Sequence, residues 1–431
     1  MSGNSGIPEL CVKALMSEGM DKAESRLLLT RKTELNVDSG SFSLMRTTDD
    51  VNLHLMGIRD NKKGTASINK TDDFSLKSGV NQTVELVSSG EPDSAVDIAE
   101  MQPSERFIRG PLEPDVDLMY ARMKAFLEYS RREYPNLILE QVILDHTRKQ
   151  RYFSNSNGVN FLSETGVYNF MAMFTSRKGT STSSFNYTSI SAEDLDKELY
   201  ECGGADRLMK QSTGQTTTEN LQGSFVGDVI VSPECMEDFI SIITGYLGDY
   251  PLITGTSIFK DSLDTLIADA RITLSSMPVS DQLAGGYFFT GDGFKAENST
   301  IIQNGVLKSF LLSLYGSRKT GRKKAVNAGG FYVIDPGEAG FEEMVKSVKK
   351  GILLCRFSGG EPSSNGDFSG VAKNSYYIEE GELKFPVSET MVSGNLKEML
   401  TSVKQISRER VNSGSSVTPW ISFSGITVSG K

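Results

Sequence analysis

Beyond residue 223, glycine interrupts the chain so often that neither a long helix nor a long unbroken strand can persist. The chain has 41 glycines in 431 residues, and they are dense from 245 to 395. A glycine inside a helix or strand costs about 0.5–1 kcal/mol relative to alanine, so this density marks tight turns and close backbone approaches. Residues 223–431 therefore read as a β-rich domain of short strands with few helices, placed at Pro233–Leu247, Gly340–Gly351 and Leu396–Ile406.

The upstream sequence has a different texture. Apolar residues recur at helical spacing over 6–19 and 75–89. Between them lie strand-like segments at 26–37, 43–45 and 50–60, and Asp60-Asn61 followed by Lys62-Lys63 before Gly64 suits a hairpin turn. Residues 88–117, rich in Ser, Gly, Pro and acids, read as a connector. Leu118, Met119, Met123, Phe126, Leu127 and Tyr129 then mark an amphipathic helix over 117–134. Strands are expected at 137–146, 152–154 and 167–175, a turn at Asn155-Ser156-Asn157-Gly158, and a flexible loop or edge at 179–189. Residues 203–223 read as a second connector. The expected class is α+β, with N-terminal α/β-type units followed by the β-rich domain. The expected divisions are 1–100, 101–222 and 223–431, in keeping with roughly 100–200 residues per domain.

A formal net charge of -10 argues against direct binding to nucleic acid, whose phosphates would be repelled. The one basic cluster, Arg318, Lys319, Arg322, Lys323 and Lys324, reads as a solvated loop. No apolar run approaches the roughly 18 residues a membrane helix needs. The opening Met-Ser-Gly-Asn-Ser-Gly lacks the features of a signal peptide, so a cytoplasmic location is expected. The four cysteines, at 11, 202, 235 and 355, form no C-x-x-C pair and read as buried thiols.

A catalytic zinc usually takes three protein ligands, with histidines one helical turn apart. The only histidines, His54 and His146, are remote in sequence and sit in no such string. His54 is expected to face solvent from a strand, and His146 points away from its neighbour Asp145. No G-x-S-x-G elbow is present, and Ser156 has turn chemistry around it. Cys235 stands at a helix start, which can activate a thiol, but Glu234 and Glu237 oppose that, so it reads as structural. The string Phe357-Ser358-Gly359-Gly360-Glu361 lacks the lysine of a phosphate-binding loop.

Residues 365–396, NGDFSGVAKNSYYIEEGELKFPVSETMVSGNL, resemble a long pattern of the TldD/PmbA family, once described as modulators of DNA gyrase. The matching positions are Gly366, Asp367, Phe368 and Ser369, then Ile378, Glu379, Gly381 and Glu382, then Pro386 and Val387, then Gly394, Asn395 and Leu396. Asn155, Ser156 and Gly158 resemble that family's Asn-Ser-x-Gly turn, and residues 304–313 its Gly-Val-Leu strand. Each string also reads as turn, hairpin or cap grammar, so these positions serve either the fold or a peptide cleft.

The resemblance implies one of two related subunits. TldD-type chains carry an H-E-x-x-x-H helix and a late cysteine that bind zinc and cut peptides. PmbA (TldE)-type chains lack these ligands and assemble with the zinc subunit. Here the corresponding helix, PECMEDFISIITGYL, has Phe239, Ile240 and Thr244 where the motif would stand, and no cysteine follows Cys355. The resemblance thus implies no metal or catalytic residue in this chain, zinc in a TldD-type partner, and an unfolded peptide as substrate. The alternative is a homodimeric peptide-binding or regulatory protein without hydrolysis.

Overall fold

The computed structural model describes residues 6–360 and 362–431. Met1–Ser5, which open the segment read for a signal peptide, and Glu361 of the Gly-rich string lie outside the described residues.

The N-terminal half is built on very long antiparallel strands. In order the elements are α1 (Ile7–Ser17), β1 (Lys22–Asp38), β2 (Ser41–Arg59), β3 (Lys62–Ile68), α2 (Asp73–Ser89) and β4 (Glu105–Arg109). They continue with α3 (Val116–Glu133), β5 (Leu137–Asn155), β6 (Asn160–Lys178), β7 (Ser181–Thr182), β8 (Asn186–Ala192) and α4 (Ala205–Gly214). The main sheet order is β3-β2-β1-β5-β6-β4, with β7 and β8 also pairing β6. The outer edge of β6 is shared, with β4 parallel to it along Phe161–Thr165 and β8 antiparallel along Tyr168–Phe174.

Strand β1 pairs β5 from Glu24↔Asn155 to Asp38↔Gln141, so the division expected at residue 100 falls inside one continuous sheet. Helices α1 and α2 cover one end of one sheet face through Leu15, Leu27, Leu53, Leu55 and Val87. Helices α3 and α4 cover the other end through Met123, Phe126, Leu144, Phe170 and Leu208. The opposite face carries Arg26, Lys32, Glu34, Lys149 and Arg151, following the two-residue period of a strand.

The structure corrects several element assignments. The pieces at 43–45 and 50–60 are one strand, because β1 pairs with β2 straight through the polar Thr47–Asp50. Segments 137–146 and 152–154 likewise merge into β5 along the same partner. The expected connectors contain β4 and α4, and α4 is ordered by burying Leu208 and Met209. The helix expected at 340–351 ends at Lys346 and gives way to the strand Lys350–Leu354. That expected at 396–406 ends at Thr401, before the strand Val403–Asn412. Arg318 and Lys319 lie on a helix and pair with Asp97 and Asp93, so they are not a solvated loop. The turn at Asp60-Asn61 forms as read, with both residues at positive φ as a type I′ hairpin demands.

The C-terminal half is a fourteen-stranded mixed sheet. At its centre Ser224–Val231 runs antiparallel to Val417–Ser429 and parallel to Lys350–Leu354. Helix α5 (Pro233–Gly245) follows directly and buries Met236, Phe239, Ile240 and Ile243 in the main core. Ser232 caps it by accepting from Cys235 N at 3.4 Å, with Pro233 in the first turn, where a missing N–H costs nothing. The architecture is α+β, with helices packed on an N-terminal sheet and a β-rich C-terminal domain. Among the described residues no helix is long and apolar enough to cross a membrane.

Candidate functional site

The structure gathers the motif residues into three separate places. In the first, Asp367–Lys373 pairs with Thr390–Asn395 so that Asp367 faces Asn395, Phe368 faces Gly394 and Ser369 faces Ser393. Asn395 Nδ2 donates to Asp367 Oδ1 at 2.8 Å, and Asn395 Oδ1 accepts from Lys397 N at 3.0 Å as the cap of Leu396–Thr401. Gly366 O accepts from Leu396 N at 2.8 Å, and Phe368 is buried between Phe239 and Phe357.

In the second, Glu380 and Gly381 at positive φ close a two-residue type I′ hairpin that pairs Glu379 with Glu382 and Tyr376 with Pro386. A Cβ on Gly381 would stand 2.8 Å from Lys346 O. In the third, Asn155 Oδ1 accepts from Asn157 N at 3.1 Å and Val159 N at 3.0 Å, while its Nδ2 donates to Ala99 O at 2.8 Å. Ser156 Oγ accepts from Ala23 N at 3.0 Å, and Gly158 has positive φ. In the first and third groups the asparagine side chains hold backbone, and in the second Glu379 accepts from the Tyr377 hydroxyl at 3.0 Å.

Phe239, Ile240 and Thr244, which the resemblance sets against the H-E-x-x-x-H motif, lie inside the core. Phe239 packs on Phe357 and Phe368, with ring centroids 5.6 and 5.7 Å away, and Ile240 is 1% exposed. The Thr244 hydroxyl is used within its own helix, donating to Ile240 O at 2.8 Å. Phenylalanine and isoleucine offer no donor atom, so this set does not fit zinc. Among the described residues no group of three or more His, Cys, Asp or Glu is arranged to hold a metal ion.

His146 is buried, with Nε2 2.7 Å from Pro111 O and its ring edge-on to Tyr168. His54 is half-buried in a polar pocket, where it was expected to face solvent; its Nδ1 lies 3.2 Å from Ser67 Oγ. Burial, aided by Asp238, pushes the Cys235 thiol well above its ordinary range, which disfavours the thiolate a nucleophile needs. Three of the four cysteines are buried as read, and Cys202 is only partly so.

A cavity of ≈ 550 Å³ lies between the two halves of the chain, bounded by β8, the loop from Glu193 to Gly204, Asp281–Ala284 and Arg410–Gly414. A smaller recess adjoins it, lined by Tyr187, Ser189, Glu237, Asp238 and Arg356. Arg109 of β4 bolts the halves together, donating Nε to Glu193 at 2.5 Å and Nη2 to Ser280 O and Leu283 O at 2.6 and 2.7 Å. The loop at 410–414 meets β8 where Ser191 N donates to Ser413 O at 2.8 Å. This approach requires glycine, because a Cβ on Gly414 would stand 1.7 Å from Ser191 O.

Inside the recess, Glu237 accepts from the Ser413 and Ser416 hydroxyls, and burial raises its pKa above the usual carboxylate range. Arg356 stacks on Phe185 at 3.8 Å and reaches Phe185 O at 2.9 Å, closing the far end of the β8 edge. Tyr187 and Ser189 lie between these two closures. Sequence reasoning missed Arg109, Glu237 and Arg356 as a set. Carboxylates and arginines are scattered along the chain, and only the meeting of the two halves makes these few neighbours.

Residues 224–430 match the family model described as the PmbA/TldA metallopeptidase C-terminal domain. The chain is 24% identical over 440 residues to the metalloprotease PmbA of Escherichia coli O157:H7, covering 95% of this chain and 94% of that one. It is 28% identical over 194 residues to a zinc metalloprotease TldD homolog of Saccharolobus solfataricus, covering 42% of this chain and 44% of the relative. Among solved structures, TldE from Thermococcus kodakarensis superposes with a TM-score of 0.87 at 19% identity, covering 98% of this chain and 99% of that one. A Bacteroides thetaiotaomicron protein described as a modulator of DNA gyrase gives a TM-score of 0.88 at 21% identity, with 100% of both chains covered. These two establish a shared fold. By the match over 224–430, which holds the motif positions at 366–396, the C-terminal half belongs to the TldD/PmbA family.

Proposed function

We propose that this chain is the zinc-free, PmbA (TldE)-type subunit of a TldD–TldE-type cytoplasmic metallopeptidase. In this reading it completes a cleft that holds an unfolded peptide beside the zinc of a TldD-type partner. The observation that carries the reading is the burial in the core of Phe239, Ile240 and Thr244 on helix α5, the residues that the resemblance sets against the zinc motif. A fold close to that of a TldE, over nearly the whole chain, supports it.

The cleft suits an extended peptide. The edge of β8 between Ser413 and Arg356 leaves Ser189 and the Tyr187 carbonyl available for strand addition, where backbone hydrogen bonds give affinity with little demand on sequence; the Tyr187 N–H already donates to Asn186 Oδ1 at 3.0 Å. Glu237 and Asp238 stand beside that edge to accept from peptide N–H or amino groups. The motif residues at 155–158, 366–369, 379–386 and 394–395 line neither the cleft nor the recess, and we assign them to the fold.

The test is an affinity pull-down of this chain from its native lysate, with zinc analysis of the recovered material. A stoichiometric partner carrying an H-E-x-x-x-H helix and zinc is the expected result. Recovery of this chain alone as a metal-free homodimer would overturn the partner-subunit reading in favour of a peptide-binding protein.

A further inference from the structure

The polar face of the N-terminal sheet carries a second cavity, which shares no lining residue with the cleft. The register sets Arg26 of β1 opposite His54 of β2, and places Leu28 between Asn52 of β2 and Arg151 of β5. Directly paired residues and residues two apart share a face, so Arg26, Asn52, His54 and Arg151 project together. Phe289, from the C-terminal half, walls the group, with the Arg151 guanidinium 4.9 Å from its ring centroid. This cavity is open to solvent on one side and has a volume of ≈ 270 Å³.

Of the two guanidiniums in this cavity, Arg26 alone meets a carboxylate among the described residues. Among the described residues Arg151 forms no ion pair and no hydrogen bond, and burial together with nearby Arg26 lowers its pKa. Arg26 donates Nη1 to Gly291 O at 3.0 Å; its Nε lies 3.3 Å from Glu24 Oε1 and is buried without a hydrogen bond. Lys63 adds a further positive charge felt by both His54 and Glu24. Two carboxylates are near. Glu24 is buried and pushed up to about 7, which weakens it as a counter-charge, and Asp292 is held by the Thr290 hydroxyl and by Leu314 N at 2.8 Å. Two guanidiniums on adjacent strands repel each other, and a desolvated cation without a partner is costly. An anion between them relieves both costs.

We propose that this cavity binds a small oxyanion, a carboxylate or phosphate group, held between the Arg26 and Arg151 guanidiniums with His54 as a third partner. The planar fork of arginine matches either oxyanion with paired N–H donors. Ser67 occupies His54 Nδ1, which leaves Nε2 for the ligand. Burial, Arg26 and Lys63 together push His54 down to about 4, so the ring meets the anion as a neutral imidazole. The site stands independently of the partner-subunit reading, because it needs only this chain.

Calorimetric titration of the purified chain in a buffer free of competing oxyanions tests this. The probes are inorganic phosphate, N-acetylglycine with its free carboxylate, and N-acetylglycinamide as the neutral control. Saturable one-site binding of phosphate or of N-acetylglycine, with none of the amide, is expected, and the two arms assign the anion class. Arg151→Met and Arg26→Met should each weaken binding about tenfold or more, and Lys350→Met, in the C-terminal sheet, should not. Arg151→Lys keeps the charge, so it covers the case in which the methionine variants misfold; it should still lose most of the affinity, because lysine lacks the fork. Absence of saturable binding by either anion, or undiminished binding in a folded Arg151 variant, overturns the proposal.

Discussion

Asn395 and Asp367 face each other across paired strands and are joined side chain to side chain, Nδ2 to Oδ1, at 2.8 Å. They belong to the two ends of one sequence motif, and the bond links the start of the first strand to the cap of the helix Leu396–Thr401. Asn395→Ala removes this bond, the cap to Lys397 N and the donation to Asn365 O. The expected loss is about 1–2 kcal/mol of C-terminal domain stability. Trp420, the only tryptophan, is buried in that half, so its fluorescence in urea reports the shift of the transition midpoint.

The thiols should be nearly inert in the folded chain. Burial pushes Cys11 up to about 11 and Cys355 up to about 12, and holds Cys235 higher than its ordinary value. Cys202 is the partly exposed one, and its pKa is also raised, chiefly by burial. A thiol-reactive chromophore at pH 8 should modify Cys202 slowly and all four cysteines once urea is added. Rapid native modification of Cys235 would revive a nucleophilic role for it.

How far the sequence could be read varied with the range of the forces involved. Hairpins and caps are local, so Asp60-Asn61 and Glu380-Gly381 were legible from their turn chemistry. Strand length was not, because Thr47–Asp50 look like a break and are held extended only by pairing with β1. Helix α4 was lost for the same reason: its Leu208 and Met209 find apolar partners far away in sequence. Of the site, the residue types at 239, 240 and 244 can be read from the sequence directly, but their burial in the core cannot. Nor can the recess, since Glu237, Ser413 and Arg356 become neighbours only through the tertiary fold.

Glu24 gives a signed pH effect. Burial raises its carboxyl from 4.5 to about 7, against the pull of Arg26. Between these values the folded state keeps a proton that the unfolded state releases, so stability falls as pH rises through this window. Below the lower value the cost is absent, and above the upper it is fully present, on the order of 3 kcal/mol. Glu24→Gln should therefore raise the melting temperature at pH 8 and change it little at pH 5. Scanning calorimetry of both proteins at the two pH values measures this, and an equal gain at both would show that Glu24 is ionised throughout.

Restoring the zinc motif should not restore zinc. A chain carrying Phe239→His, Ile240→Glu and Thr244→His would place two imidazoles and a carboxyl among Phe357, Phe368 and the surrounding core. The phenylalanine loses its ring contacts, a loss of about 3–5 kcal/mol by comparison with large-to-small core substitutions. The glutamate must be buried without a partner or taken up protonated, which adds to the cost. No late cysteine stands ready as a further ligand, since Cys355 is the last in the chain and is itself buried. The expected outcome is a sharply lowered urea midpoint with no stoichiometric zinc by elemental analysis. One zinc per chain at a native midpoint would mean that the core around α5 retains the metal geometry, and that this chain is a zinc peptidase short only of its ligands.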